Sequence, residues 1–143
     1  MRIGNMTTSA KFLVIGSVFR ANLTVEQNMK NHVDAGYTLA LAGYNRIVDV
    51  TGYYREEGQT EGSIELSRAI PVSNSRDLCE LAHLFCDKHG QDCILVLNSD
   101  NETAWLVDGN GTSLANLGTW KQSLHKPATQ GWTYDGHLYY YAE

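Results

Sequence analysis

The side chains of this chain that could do chemistry carry charge or an aromatic ring, and Glu65 is the clearest of them. It lies in an alternating segment between Ile64 and Leu66, so a strand there turns its carboxylate to the face opposite two apolar side chains. A carboxylate buried on such a face is costly unless it is paired or binds a cation. The pattern is therefore consistent with a cation-binding carboxylate, or with a strand residue that is solvated or paired with Arg68 or Arg46.

Other candidates lie where predicted strands end or turn. They are Ser17, Phe19, Arg20 and Asn22 after the first apolar run, Tyr54 near the end of the second strand, and Glu102 at the start of the fifth. Arg20 could hold a carboxylate by a bidentate contact, or it could pair with Glu26 at the helix entry. Tyr54 is either a core tyrosine or a site residue, and Glu102 is either a site residue or a surface carboxylate.

The motifs of classical nucleophile and cofactor enzymes are missing from the sequence. It has no Ser-His-Asp order, no metal-ligand spacing, no P-loop and no Gly-x-Gly-x-x-Gly. We expect neither a metal nor a cofactor. His32, beside the apolar positions of the first helix, is expected to be a partly buried, hydrogen-bonded structural residue.

Composition narrows the class of protein. The 143 residues are 43% hydrophobic, which suits a single domain, 1–143, of which residues 1–10 are expected to be flexible. A net charge of -5 argues against a nucleic-acid partner and would suit a cationic ligand. No apolar stretch is long enough for a membrane span, and no signal peptide is recognisable, so we expect a cytoplasmic protein.

The positioning elements follow from periodicity. Lys11 to Phe19 is predicted to be a buried, central strand, and Thr24 to Gln27 is a capping box that opens a helix ending at Gly43. The helix is indicated by an apolar stripe at helical spacing, made of Val25, Met29, Val33, Tyr37 and Leu41. Further along the chain the pattern predicts a hairpin (46–54 and 63–72), a second helix (73–90), paired strands (93–97 and 103–107) and an irregular tail ending in an aromatic strand (138–141).

The order β-α-β-β-α-β-β predicts an α+β fold. We expect a ferredoxin-like antiparallel sandwich with two helices on one sheet face and extra C-terminal strands. An open sheet face with an aromatic tail would leave an unstable edge, so a symmetric oligomer is expected.

Several segments together resemble a known family. The pattern Ser-x-Phe-Arg-x-Asn-Leu-x-x-Glu-x-Asn-Met-x-x-His spans Ser17 to His32, and Thr-Gly-x-Tyr-Arg-Glu spans Thr51 to Glu56. Gln91-Asp92-Cys93, Thr103-Ala104 and Gln130-Gly131 follow in the same order. Over residues 11 to 131, this resembles the phage-encoded S-adenosylmethionine lyases, formerly called hydrolases.

The resemblance implies a homotrimer with active sites between neighbouring subunits. It also implies cleavage of S-adenosylmethionine to 5′-methylthioadenosine and homoserine lactone, which would deprive host restriction and methylation systems of their methyl donor in the host cytoplasm. Glu65 falls where the family carries a catalytically important Glu, and Tyr54 where it carries the Tyr of Thr-Gly-x-Tyr-Arg-Glu, so both are expected to be catalytic. The expected substrate-binding residues are Ser17, Phe19, Arg20, Glu102 and Trp105. Phe19 or Trp105 could stack on adenine or face the sulfonium.

Three alternatives stay open at this point. The first is hydrolysis of the same substrate, with water attacking to give homoserine directly. The second is a non-catalytic trimeric regulator that binds an adenine nucleotide, although the acidic chain lacks the clustered basic residues that phosphates need. The third is an anti-restriction protein that binds a host enzyme directly.

Overall fold

A computed structural model describes residues 10–44, 46–55 and 58–143. The predicted flexible N-terminus therefore lies, apart from residue 10, outside the described residues, as does Glu56 of the Thr-Gly-x-Tyr-Arg-Glu pattern. The helices are α1 (Val25–Leu41) and α2 (Ser75–Ala82), and a π-helical segment (His83–Lys88) continues α2. The strands are β1 (Phe12–Gly16), β2 (Val48–Tyr54), β3 (Ser63–Val72), β4 (Ile94–Asn98), β5 (Thr103–Val107), β6 (Ser113–Ser123), β7 (Gly131–Tyr134) and β8 (Tyr139–Ala142).

The eight strands form a closed antiparallel barrel in the order β1-β3-β2-β7-β8-β6-β5-β4. The predicted pairs β2–β3 and β4–β5 are confirmed, and β1 is buried between β3 and β4, although no strand of a closed barrel is central. Closure comes from the C-terminal third of the chain. Strand β7 pairs with β2 on one side and with β8 on the other, and β8 pairs with β6.

The predicted ferredoxin-like sandwich is wrong. Residues 108–137, expected to be irregular, contain β6 and β7, which carry the sheet around until it closes on itself. The open sheet face on which we based the expectation of an oligomer therefore does not exist in the structure. Strands of mixed polarity, such as Ser113–Ser123, gave too weak an alternation to be recognised in the sequence.

Two separate cores fill the two faces of the barrel wall. One packs both helices against the outer face, through residues such as Leu39, Leu81 and Phe85 against Val14 and Ile70. The other fills the interior with Leu13, Ile15, Val50, Ala69, Leu97, Ala104 and Tyr140. Since side chains alternate along a strand, residues next to each other in β1 or β3 belong to different cores.

Helix α1 begins and ends as the sequence predicts. Thr24 accepts a hydrogen bond from the Gln27 backbone while the Gln27 side chain accepts one from the Thr24 backbone. Gly43, at φ +95°, ends the helix in a Schellman motif, in which the Gly43 and Tyr44 N–H groups donate to the Ala40 and Leu39 carbonyls.

The apolar stripe that predicted α1 is not its buried face. Its members are between 40% and 90% exposed: Val25, Met29, Val33, Tyr37 and Leu41. The helix instead buries Asn28, His32, Ala35 and Leu39. No helix of the described ranges is long and apolar enough to cross a membrane.

The second helix continues the predicted pattern but changes its winding. Asn74 caps it by accepting from the Asp77 N–H, and Leu78, Leu81, Ala82 and Phe85 are buried as expected. After Ala82 the chain adopts π-helical winding, and Gly90, at φ +70°, follows its end. Such segments are rare and often occur near functional sites.

Closure of the barrel can be tested at Tyr140, which lies in the interior and is 3% exposed. We expect Tyr140→Ala to lower the free energy of unfolding by about 3–5 kcal/mol, because it removes a large buried ring. Chemical denaturation measures the loss. Tyr141→Ala, on the opposite face of β8, is the control, and equal small losses in both variants would contradict the closed barrel.

Candidate active site

A hydroxyl and a carboxylate from distant parts of the chain meet where β1 ends. The Ser17 hydroxyl lies within hydrogen-bond reach of the Glu65 side chain, and it also donates to the Leu66 carbonyl at 2.9 Å. The Phe19 N–H donates to the same hydroxyl oxygen at 3.1 Å. Because one hydroxyl has a single proton that can rotate, the Leu66 carbonyl and the Glu65 carboxylate compete for it, and the rotamer that donates to Glu65 favours the ionised carboxylate.

Glu65 lies on the interior face of the barrel, opposite the helices. In β3 it is two residues from Ser67, which is 5% exposed, and four from Ala69 of the interior core. Glu65 itself is half-buried, and this burial raises the pKa of its carboxyl, while the hydrogen bond with Ser17 lowers it. The sequence prediction that Glu65 faces away from the helices is confirmed, but that face is the barrel interior rather than an open sheet.

Space beside Glu65 is left by a glycine. Gly52 is the cross-strand partner of Glu65, and a Cβ there would lie 3.1 Å from the Ser67 hydroxyl oxygen. Cross-strand partners share a face, so a side chain at this position would lie on the same face as the Glu65 side chain, against Ser67 and the Glu65 backbone carbonyl. Gly52 of the Thr-Gly-x-Tyr pattern thus keeps the neighbourhood of Glu65 open.

Tyr54 lies two residues beyond Gly52, on the same face as Glu65. Its side chain is 54% exposed, so it is a rim residue rather than the core tyrosine of the alternative reading. The Gln130 side-chain amide donates to the Tyr54 hydroxyl at 3.3 Å, and the Arg55 N–H donates to the Gln130 carbonyl at 2.8 Å. No role for Gln130 follows from the sequence alone, although its pattern with Gly131 is visible there.

Phe19 and Arg20 follow Ser17 in the β1–α1 loop, residues 17–24. The Phe19 ring meets the His32 ring edge to face at 6.2 Å, and His32 is buried, with its pKa lowered by burial and then by Arg68. The predicted burial of His32 is confirmed, but the predicted hydrogen bond is not made at Nε2, which lies 3.7 Å from Asp49 Oδ1. The Arg20 guanidinium lies over Gly90, at whose Cβ position Nη1 would be 3.1 Å away.

The expected ion pairs of Arg20 and Glu65 do not form in the described part of the chain. Arg20 makes no ion pair with Glu26. Arg68, a possible partner of Glu65, instead contacts Asp49, with 3.4 Å between Nε and Oδ1. Among the described residues, then, Glu65 meets a hydroxyl rather than a cationic side chain.

Glu102 and Trp105 are not brought to Glu65 within one chain. Glu102 lies in the β4–β5 turn, which is close to the start of β1 because Ser99 of that turn donates to the Lys11 carbonyl. Ser17, beside Glu65, lies at the opposite end of β1. The five residues of β1 separate these positions by about 17 Å along the strand. Trp105 points to the outer, helix-covered face and packs against that core.

A polar cavity of about 370 Å³ exists elsewhere, beyond the far end of β3. Arg46, Arg76, Asp77 and Glu80 line it, and none of the predicted site residues does. Its mixed charges fit no single ligand class. Within residues 10–44, 46–55 and 58–143, no three His, Cys, Asp or Glu side chains cluster as metal ligands would.

The described residues form a barrel with a half-buried carboxylate beside an open glycine and no cationic partner among them, an arrangement that suits a cationic small molecule. The S-adenosylmethionine lyase family model matches residues 14–143. The chain is also similar to the S-adenosylmethionine lyase of Enterobacteria phage T3, with 35% identity over 104 residues, covering 70% of this chain and 68% of the phage protein. This chain therefore belongs to the S-adenosylmethionine lyase family, and the expectation from the sequence patterns is confirmed.

The electrostatics of the Ser17–Glu65 pair give a prediction that needs no substrate. Ser17→Ala should raise the pKa of the Glu65 carboxyl further, because the hydrogen bond from Ser17 favours the ionised form. Nuclear magnetic resonance titration of carboxyl-labelled glutamate measures it. Ser63→Ala, an exposed position on the same strand, should leave the titration unchanged, and an unshifted Glu65 in the Ser17 variant would contradict the contact.

Proposed function

We propose that this protein degrades S-adenosylmethionine to 5′-methylthioadenosine and L-homoserine lactone. Family membership supports the substrate, and the observation that carries the mechanism is the half-buried carboxylate of Glu65, which has a raised pKa and no cationic partner among the described residues. Such a group is stabilised in its ionised form when a cation binds beside it. The substrate brings two cations, its sulfonium and its ammonium.

The reaction balances without a protein nucleophile. An oxygen of the substrate's own carboxylate attacks the γ-carbon, the bond between that carbon and sulfur breaks, and its electron pair stays on sulfur. The sulfonium thereby becomes the neutral thioether of methylthioadenosine, and the carboxylate closes the lactone ring. No proton moves, so the step needs neither a general acid nor a general base.

The protein's task is then to hold the substrate folded and to exclude water. Orientation of this kind can contribute on the order of 7–11 kcal/mol to lowering the barrier. An interior barrel face suits the task, because Glu65 lies at the edge of an apolar core that includes Val50 and Ala69. Glu65 holds the ammonium or compensates the sulfonium, which leaves the substrate carboxylate free to attack.

The other predicted site residues have roles that follow from where they lie relative to Glu65. Tyr54, on the rim beside Gly52, orients the methionyl part, with its hydroxyl held by Gln130. Ser17 orients Glu65. Phe19 and Arg20 lie in the adjacent loop, where a ring can stack on adenine and a guanidinium can donate hydrogen bonds to neutral polar groups of the nucleoside.

We propose further that the active protein is a homotrimer with sites between subunits. Glu102 and Trp105 can serve a site at Glu65 only if a neighbouring subunit supplies them, because one chain holds them apart. Exposed apolar side chains give subunits surfaces to bury, among them Tyr54 and Ile64 near the site at 54% and 65% exposure.

Two rival functions make different demands on the same site. Hydrolysis would require a water at the γ-carbon and a base to activate it, and Glu65 beside the open Gly52 is the only predicted residue placed to do so. A nucleotide-binding regulator would need basic residues near the site, where Arg20 alone among the predicted residues is cationic.

Whether the protein acts as a lyase or as a hydrolase, degradation of S-adenosylmethionine in the host cytoplasm would remove the methyl donor that restriction and methylation systems use.

The reaction is tested by following products at early times with mass spectrometry. In the wild type, homoserine lactone should appear before homoserine, because ring closure precedes any reaction with water. Homoserine appearing first would favour hydrolysis, and absence of turnover would favour the regulator.

Glu65→Gln should nearly abolish turnover while leaving the oligomer intact, because it removes the charge that faces the substrate cation. Size-exclusion chromatography with light scattering checks the assembly, and Glu61→Gln, an exposed residue of the same hairpin, is the matched control. Full activity of the Glu65 variant would remove this carboxylate from the mechanism. The activity of the wild type should also fall as pH is lowered through the raised pKa of Glu65.

Sharing of sites between subunits can be tested by mixing two inactive variants. If Glu65 acts with Glu102 of a neighbour, Glu65→Gln and Glu102→Gln should each be impaired, and a one-to-one mixture refolded together should regain activity. Random association in a closed ring predicts about one quarter of the wild-type activity. No gain on mixing, or an active Glu102 variant, would contradict the shared site.

A further inference from the structure

The β1–α1 loop beside Glu65 has no regular secondary structure, yet its backbone is tightly held. Val18 is 1% exposed, and Ser17 and Phe19 are half-buried. Three side chains from different parts of the chain bond to the loop's backbone or bind it to its neighbours. They are Ser17 itself, which bridges to β3, Asn28 of α1, and Gln91 after the π-helical segment.

Asn28 holds one residue of the loop, Arg20, through both polar atoms of its own side-chain amide. Its Oδ1 accepts from the Arg20 N–H at 2.9 Å, and its Nδ2 donates to the Arg20 carbonyl at 3.0 Å. Asn28 is 7% exposed, so both of its buried polar groups depend on these bonds. A carboxylate would lose the donor, and an alkyl side chain would lose both bonds.

Gln91 holds the preceding residue from a segment 72 positions away. Its Nε2 donates to the Phe19 carbonyl at 2.7 Å. The π-helical segment and Gly90 set its position, because the Gln91 N–H bonds back to the Phe85 carbonyl and Gly90 takes a left-handed conformation under Arg20.

We infer that Asn28 and Gln91 are positioning residues of the active site, which hold the β1–α1 loop so that Ser17, Phe19 and Arg20 meet the substrate at Glu65. The inference rests on the proposed function, since it assigns these residues to that same site. It also explains why two patterns far apart in the sequence, one ending at His32 and one starting at Gln91, occur in one chain. Both act on the same four-residue stretch.

Their removal should reduce turnover more than binding. Once the loop is free to move, the Ser17 hydroxyl no longer holds Glu65 in one orientation, and a displacement near 1 Å can cost about 100-fold in rate. We therefore expect kcat to fall about 10- to 100-fold in Gln91→Met and Asn28→Ala, with KM changing much less. Glu65 should also titrate at a higher pH in both variants, as in Ser17→Ala.

The experiment compares these variants with matched controls on the intact full-length chain. Gln59→Met replaces an exposed glutamine and Asn31→Ala a half-buried asparagine one turn further along α1, and both should keep the wild-type kcat. Thermal unfolding checks that each variant is folded. Because Asn28 is buried, Asn28→Ala is the variant at risk of unfolding. If it does unfold, the kinetics and the Glu65 titration of Gln91→Met alone test the inference.

The outcomes separate this inference from the proposed function. A wild type that turns over S-adenosylmethionine, with a folded Gln91→Met variant of unchanged kcat and unchanged Glu65 titration, would overturn the positioning role. A wild type inert towards S-adenosylmethionine would instead overturn the proposed function. In that case the Glu65 titration still tests the loop: a shift in Gln91→Met would show that the clamp acts on Glu65, and no shift would overturn that as well.

Discussion

Closure of the sheet between β2 and β7 is the constraint on which the rest of the structure depends. Pairing of Thr51 to Tyr54 with Gly131 to Tyr134 turns the face that carries Glu65 into the inside of a barrel. Without β7 that face would be open to water, and the carboxylate would be solvated like any strand glutamate. Closure therefore creates the partial desolvation that raises the pKa of Glu65, and it also brings Gln130 to the Tyr54 hydroxyl.

The parts of the fold that could be predicted from sequence are those in which local signals agree. The capping box at Thr24, the Schellman glycine at Gly43 and the alternation of Ser63 to Val72 each fix an element with little help from the rest of the chain. Barrel closure is different in kind, because it depends on pairing between residues about 80 positions apart. Strands β6 and β7 are polar on one side and contain glycines, so their local sequence gives no clear strand pattern.

The apolar periodicity of α1 predicted that the helix exists but not which of its faces is buried. The large side chains at Val25, Met29, Val33, Tyr37 and Leu41 dominate any hydrophobic pattern, yet the helix packs through Ala35, Leu39 and two polar residues. The reason lies in what the polar residues bind: Asn28 must reach the Arg20 backbone, and His32 must reach Phe19. Holding the loop thus takes precedence over burying the largest apolar surface, and the site residues could be predicted only singly, since their contacts are long-range.

The charge of the site also fits the chemistry better than a conventional catalytic apparatus would. A substrate that carries its own nucleophile and its own leaving group gains nothing from a protein base, and a basic residue near its carboxylate would reduce the carboxylate's reactivity. What helps is a fixed anion in a partly dry site, because the attraction for a cation grows as water is removed. In the proposed mechanism, ionised Glu65 is poorly stabilised until that cation arrives, so the energy lost on burying the carboxylate is recovered when substrate binds. The proposed coupling would make Glu65 selective for a cationic ligand, and it is consistent with the neutral residues on the same face near it: a glycine, two serines and a tyrosine.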